Sequence, residues 1–125
     1  MSEQTKTFMF ILRGGGSMKE MSSAECMQVI RRYQAWIESL RQGGHYNAGS
    51  PLEEDRKVVS GADGAIVSDG PFIETKESVG GYFLINAKDL DQAVELARGC
   101  PIFDRDGTVE VRPLQAVVQS GENAG

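Results

Sequence analysis

Two short stretches of this chain carry no polar face. Phe8-Met9-Phe10-Ile11-Leu12 and Tyr82-Phe83-Leu84-Ile85 are unbroken apolar runs of strand length. In a strand, successive side chains point to opposite sides, so each run presents oily groups to both faces of its sheet. Each therefore needs a cover above and below. The sequence offers two helical patterns to supply it. Ser22 with Glu25 three residues on forms a capping-box pair. Cys26, Val29, Ile30, Tyr33, Ile37 and Leu40 follow at helical spacing as far as Gly43-Gly44, which predicts a helix of about 20 residues, roughly 30 Å long. Trp36, beside Tyr33 and Ile37, is expected at the boundary between helix and sheet. Asp89 and Gln92 open a second helix that Gly99 and Pro101 close, with Leu90, Ala93, Val94 and Ala97 on its buried side.

Strands are expected at Thr7–Leu12, His45–Ala48 (leading to a turn at Ser50-Pro51), Gly80–Asn86 and Thr108–Leu114. Arg56–Ser60 and Ala65–Ser68 form an extra hairpin around Gly61-Ala62-Asp63-Gly64, whose Asp-Gly pair accepts positive φ. The order β-α-β-(hairpin)-β-α-β gives an α+β fold of ferredoxin-like type, an antiparallel sheet with both helices on one face. One layer of helices leaves the other apolar face bare. A second copy of the chain is the simplest cover, so a homodimer joined through the helix-free sheet face is expected.

At 125 residues the chain has room for one domain, 1–125, with its core over about 7–114 and a mobile tail at 119–125. The apolar fraction of 40% and charged fraction of 25% are those of a globular protein. A net charge of -5 excludes a nucleic-acid binder that works through a basic surface. Arg31, Arg32 and Arg41 share a helix but are interrupted by acidic and polar residues. Cys26 and Cys100 lack the spacing of a zinc site or a disulfide framework and read as small core residues in a reducing compartment. The polar start Met1–Lys6 has no signal-peptide pattern, and the longest apolar run, Phe8–Leu12, is far too short for a membrane span. The expected location is cytoplasmic, with no membrane partner.

The stretch best suited to chemistry is Asp69-Gly70-Pro71-Phe72-Ile73-Glu74-Thr75-Lys76-Glu77. Gly and Pro restrict its shape and hold Asp69, Glu74, Lys76 and Glu77 close together on a loop, where binding groups commonly sit. The simpler reading is a tight turn in which Asp69 bonds its own backbone and Phe72 plugs the core. His45 is the one histidine, able to trade protons near neutral pH. Were its strand close to the loop, Asp69 would orient it as a general base; otherwise it is a hydrogen-bonded structural residue. Arg112 is suited to an anionic ligand or to pairing with a loop carboxylate. Glu53-Glu54-Asp55 reads as a solvated charge run. Gly14-Gly15-Gly16-Ser17 matches neither nucleotide-binding pattern, and scattered carboxylates with one histidine make no metal site. No cofactor is expected.

Taken together, Gly49-Ser50-Pro51-Leu52, Ser68 to Glu77, Gly80-Gly81-Tyr82-Phe83, Cys100-Pro101 and Val109-Glu110-Val111-Arg112-Pro113 resemble the YCII-related family. The likeness runs from about Phe8 to Leu114 and is greatest to the branch named for its Asp-Gly-Pro-Phe motif. The resemblance implies a dimeric α+β barrel of two sheets packed face to face, with a cleft near the Asp69–Phe72 loop, in a family whose reactions are mostly unassigned. It also implies a link to bacterial sigma-factor systems. The founding branch has a histidine on the first helix and an aspartate before the proline after the second helix. Arg32 or Tyr33, and Cys100, stand in those places here, so that pair does not carry over.

Three functions follow as expectations. The first is a dimeric protein that binds a small polar molecule through Asp69, Gly70, Pro71, Phe72, Glu74, Lys76 and Arg112. The second is a cofactor-free enzyme with His45 and Asp69 as catalytic acid-base groups. The third is a regulatory partner of a transcription protein.

Overall fold

The structure is a computed structural model, and it describes residues 5–115; the tail expected at 119–125 lies outside the described residues. In chain order the elements are β1 (Lys6–Arg13), α1 (Ser23–Gln42), β2 (Tyr46–Pro51), β3 (Val58–Ser60), β4 (Ile66–Ser68), β5 (Val79–Ala87), α2 (Leu90–Ala97) and β6 (Thr108–Pro113). Short 3-10 turns at Met18–Glu20, Ala62–Gly64, Thr75–Glu77 and Pro101–Arg105 join them. Four strands form an open antiparallel sheet in the order β2-β5-β1-β6, while β3 and β4 pair only with each other. The α+β class and the antiparallel sheet agree with the sequence reading.

The two apolar runs became the central strands, each paired along both edges, with side chains that alternate between the two faces of the sheet. Phe8, Phe10 and Leu12 of β1 and Phe83, Ile85 and Ala87 of β5 point to one side. There they pack with Trp36 and Leu40 of α1, Ala93 and Ala97 of α2, and Cys100 and Ile102 of the turn after it. Both helices thus cover the same face. The alternate residues Thr7, Met9, Ile11, Tyr82, Leu84 and Asn86 point the other way and are only half-buried. Met9 stands opposite Leu84, and Ile11 opposite Tyr82.

Helix α1 starts as expected. The Ser22 hydroxyl accepts from the Glu25 amide at 3.1 Å, and the Glu25 carboxylate accepts from the Ser22 amide at 2.9 Å. Its buried stripe is the one the spacing suggested, Cys26, Val29, Tyr33, Ile37 and Leu40, with Ile30 left out and Trp36 drawn in. Trp36 is 8% exposed and lies within the core, whereas Ile30 is 45% exposed. The indole is the largest apolar group on the helix, and burying it gains more than burying Ile30. In α2 the alanines, not Leu90 or Val94, form the buried line: Ala93 is 0% and Leu90 46% exposed. Small side chains let this short helix lie close to the sheet. Cys100 is buried, but Cys26 is half-buried with its thiol 3.4 Å from the Met18 carbonyl, so it is not a core residue.

Strand β2 runs on through Ser50-Pro51, where a turn was expected, and carries a bulge between Tyr46 and Ala48. The bulge sends Tyr46 to the helix side, with its ring 6.4 Å from Phe83 and under the Arg41 guanidinium at 5.0 Å. Gly49 faces Phe83 as well; a Cβ there would stand 2.3 Å from the ring, so only glycine fits. No described helix is long and apolar enough to cross a membrane.

Candidate functional site

The segment from Arg56 to Phe72 leaves the body as an arm. Its hairpin matches the sequence reading, with Asp63 at φ 58° and Gly64 at φ 66° in the turn. The Asp-Gly-Pro-Phe loop follows at the end of β4. Gly70 has φ +79°, and a Cβ on it would lie 2.5 Å from the Arg56 guanidinium and 2.6 Å from Val58. Backbone conformation and space both require glycine. Arg56 donates to the Pro71 carbonyl, and the Gly70 amide donates to the Ser68 hydroxyl at 3.1 Å. These ties fix the loop's shape.

Asp69 does not bond its own backbone. Its carboxylate accepts from the Lys57 ammonium at 2.7 Å, and both side chains are largely exposed. An ion pair in water is worth only about 0–1 kcal/mol, so either partner exchanges readily for a ligand group. Phe72 does not plug the core: it is 86% exposed. Glu74 stands at the N-terminal end of the Thr75–Glu77 turn without a side-chain bond to it, and neither Glu74 nor Lys76 makes an ion pair among the described residues. Arg112, on the helix-free face, lies 3.8 Å from Glu110 of its own strand and not against a loop carboxylate. Glu54 is tied down, receiving the Ser17 hydroxyl at 3.2 Å and Lys19 at 3.5 Å.

His45 occupies the other end of the sheet. It joins α1 to β2, where its amide donates to the Leu40 carbonyl and its carbonyl accepts from the Asn86 amide, both at 2.8 Å. Its Nδ1 is 2.8 Å from the Asn86 carbonyl, which can only accept, so that nitrogen is the donor. Register separates this corner from the loop. Tyr46 pairs with Ile85 near the end of β5, whereas the segment carrying Asp69 feeds into the beginning of β5 at Val79. Within one chain, Asn86 and not Asp69 orients the imidazole, and Asp69 is held by Lys57. The structure does not bring the expected pair together.

A third place emerges that spacing did not reveal. Between α1 and the turn after α2 lies an open depression of about 510 Å³, bordered by Arg32, Trp36, Arg98, Cys100, Phe103 and Asp104. Arg32 pairs with Asp104 across it. Cys100 meets Tyr33 in a long thiol–phenol contact of 4.0 Å. Burial, with the Cys100 thiol adding to it, pushes the Tyr33 phenol well above its ordinary range, and burial raises the Cys100 thiol too. Both groups are therefore neutral at neutral pH and offer no base or nucleophile. Tyr33, one of the two residues standing where the founding branch has its helix histidine, is the one that meets Cys100. Among the described residues no three of His, Cys, Asp and Glu gather in a way that could hold a metal ion.

Fold and site together define an α+β protein with a four-stranded open antiparallel sheet, two helices on one face and a projecting arm. The YCII-related domain model matches residues 16–117, and the chain belongs to the YCII-related family. It is also similar to an uncharacterised protein of Rhizobium meliloti (strain 1021), 47% identical over 58 residues, which are 46% of this chain and 46% of that protein. The chain thus spans less than half the length of that relative in the matched region.

Proposed function

We propose that the chain acts as a homodimer that holds a small polar molecule in a crevice beside the Asp69–Phe72 loop. One observation carries the reading: Met9, Ile11, Tyr82 and Leu84 lie side by side on the sheet face that no helix covers. An apolar patch built into the two central strands is where another protein surface belongs, and a second copy of the same face supplies a matching one. Two such sheets packed face to face form the dimeric α+β barrel, in the branch of the family with the Asp-Gly-Pro-Phe motif. The loop then stands at the rim of that interface. Interface crevices with a few converging polar groups suit small ligands. Asp69, Glu74, Lys76 and Arg112 are the polar groups on offer, with Gly70, Pro71 and Phe72 as the wall.

A thermal-shift screen of charged and hydroxylated metabolites tests the binding. Ligand at about 100 times its dissociation constant stabilises the folded state by about 2.7 kcal/mol, which is a rise of several degrees. The rise is expected for the wild-type chain and should shrink for Asp69→Ala, whose exposed side chain contributes nothing to the core. Identical shifts in both proteins would remove the loop from the site.

A further inference from the structure

The arm is exposed in a way the rest of the chain is not. Among the described residues, the large apolar side chains more than half exposed are Val59 at 63%, Ile66 at 55%, Val67 at 63% and Phe72 at 86%. All four sit on this one excursion. Val59 and Val67 are direct cross-strand partners and so share one face of the hairpin. A two-stranded hairpin is at best marginally stable alone in water, and one that turns an apolar pair outward needs something to lie on.

Its own chain is not that support. Both stems of the arm are pinned to the body: the Leu52 amide donates to the Gly80 carbonyl at 2.9 Å, and the Gly14 amide donates to the Ser78 carbonyl at 3.2 Å. Glu54 adds its contacts to Ser17 and Lys19. With its base held on both sides, the hairpin projects and does not fold back. Charge favours a second copy as the support. The chain carries -5, but within the arm Arg56 and Lys57 offset Asp63 and Asp69. A neutral, apolar arm reaches a like-charged copy without repulsion.

We infer that the arm is exchanged between two copies: each hairpin lies on the other copy, and each Asp69–Phe72 loop completes the neighbour's crevice. The inference rests on the dimer proposed above and adds that the site is composite. A monomer would therefore lack not only the interface but one wall of the binding crevice.

Sedimentation equilibrium of the full chain, paired with hydrogen exchange of amides 58–68, tests it. In Val59→Ser/Val67→Ser the dimer dissociation constant should rise about tenfold or more, with monomer melting unchanged, since both side chains touch no core residue. Leu84→Glu, on the sheet face, serves as the comparison. Arm amides of the wild type should exchange slowly in the dimer and fast once dilution gives monomer. An unchanged dissociation constant in the double variant, while Leu84→Glu is monomeric, sinks the exchanged arm and leaves the dimer standing. Arm amides equally slow in monomer and dimer overturn it too, because the arm then rests on its own chain. A wild type that stays monomeric removes both readings.

Discussion

Trp36 gathers the aromatic contacts of the core. Its ring stacks on Phe10 at 6.3 Å, meets Phe83 edge-on at 5.1 Å and Tyr33 at 6.3 Å, and donates its indole N–H to the Leu96 carbonyl at 3.2 Å. It thereby ties both helices to the sheet. Trp36→Ala should cost about 3–5 kcal/mol in denaturant unfolding; a loss under about 1 kcal/mol would mean that these contacts contribute little. Tyr33 and Cys100, next to it, set an alkaline limit. Both are neutral when protonated, and both titrate higher in the folded chain than their ordinary values of 10.0 and 9.0. Between the ordinary and the raised values the folded state holds more protons than the unfolded one. Their contribution is therefore complete below pH about 9 and is lost as pH rises through the folded values. Melting temperature should fall above that point, and the early part of the fall should be smaller in Cys100→Ala. Identical alkaline profiles would show that the thiol plays no part.

At the scale of elements, local signals and tertiary ones divide cleanly. The start of α1 is local: Ser22 and Glu25 satisfy each other's amides whatever the rest of the chain does. Ser22→Ala should cost about 1 kcal/mol, read as a shift in the unfolding midpoint with unchanged slope. No shift would mean that solvent replaces the cap without loss. The apolar runs of β1 and β5, the Asp63-Gly64 turn and the Asp89 cap of α2 were legible for the same reason. The buried side of α1 was legible apart from Ile30, and that of α2 was less so. Ile30 and Leu90 match the periodicity but lie beyond the sheet's reach, and the alanines of α2 carry little hydrophobic signal though they make the closest approach. The bulge that turns Tyr46 inward has no sequence mark except Gly49, whose need becomes clear only beside Phe83. For the site, the loop's rigidity was readable from Gly70 and Pro71. Its projection was not, because Phe72 is as apolar as a core residue and only the pinned stems hold it outward. The separation of His45 from Asp69 follows from strand register, which pairs residues far apart in sequence.

The whole molecule is a two-layer structure whose central strands are built for three layers. One face of β1 and β5 is closed by α1 and α2, while Met9, Ile11, Tyr82 and Leu84 lie half-buried on the face without helices. Placing a second copy there accounts at once for the bare sheet face and the exposed arm. Small-angle X-ray scattering across a dilution series tests this most directly. A pair of chains doubles the 13.6 kDa mass and gives a radius of gyration of about 18 Å. A mass of 13.6 kDa with a radius of about 14 Å, unchanged up to high concentration, would contradict it.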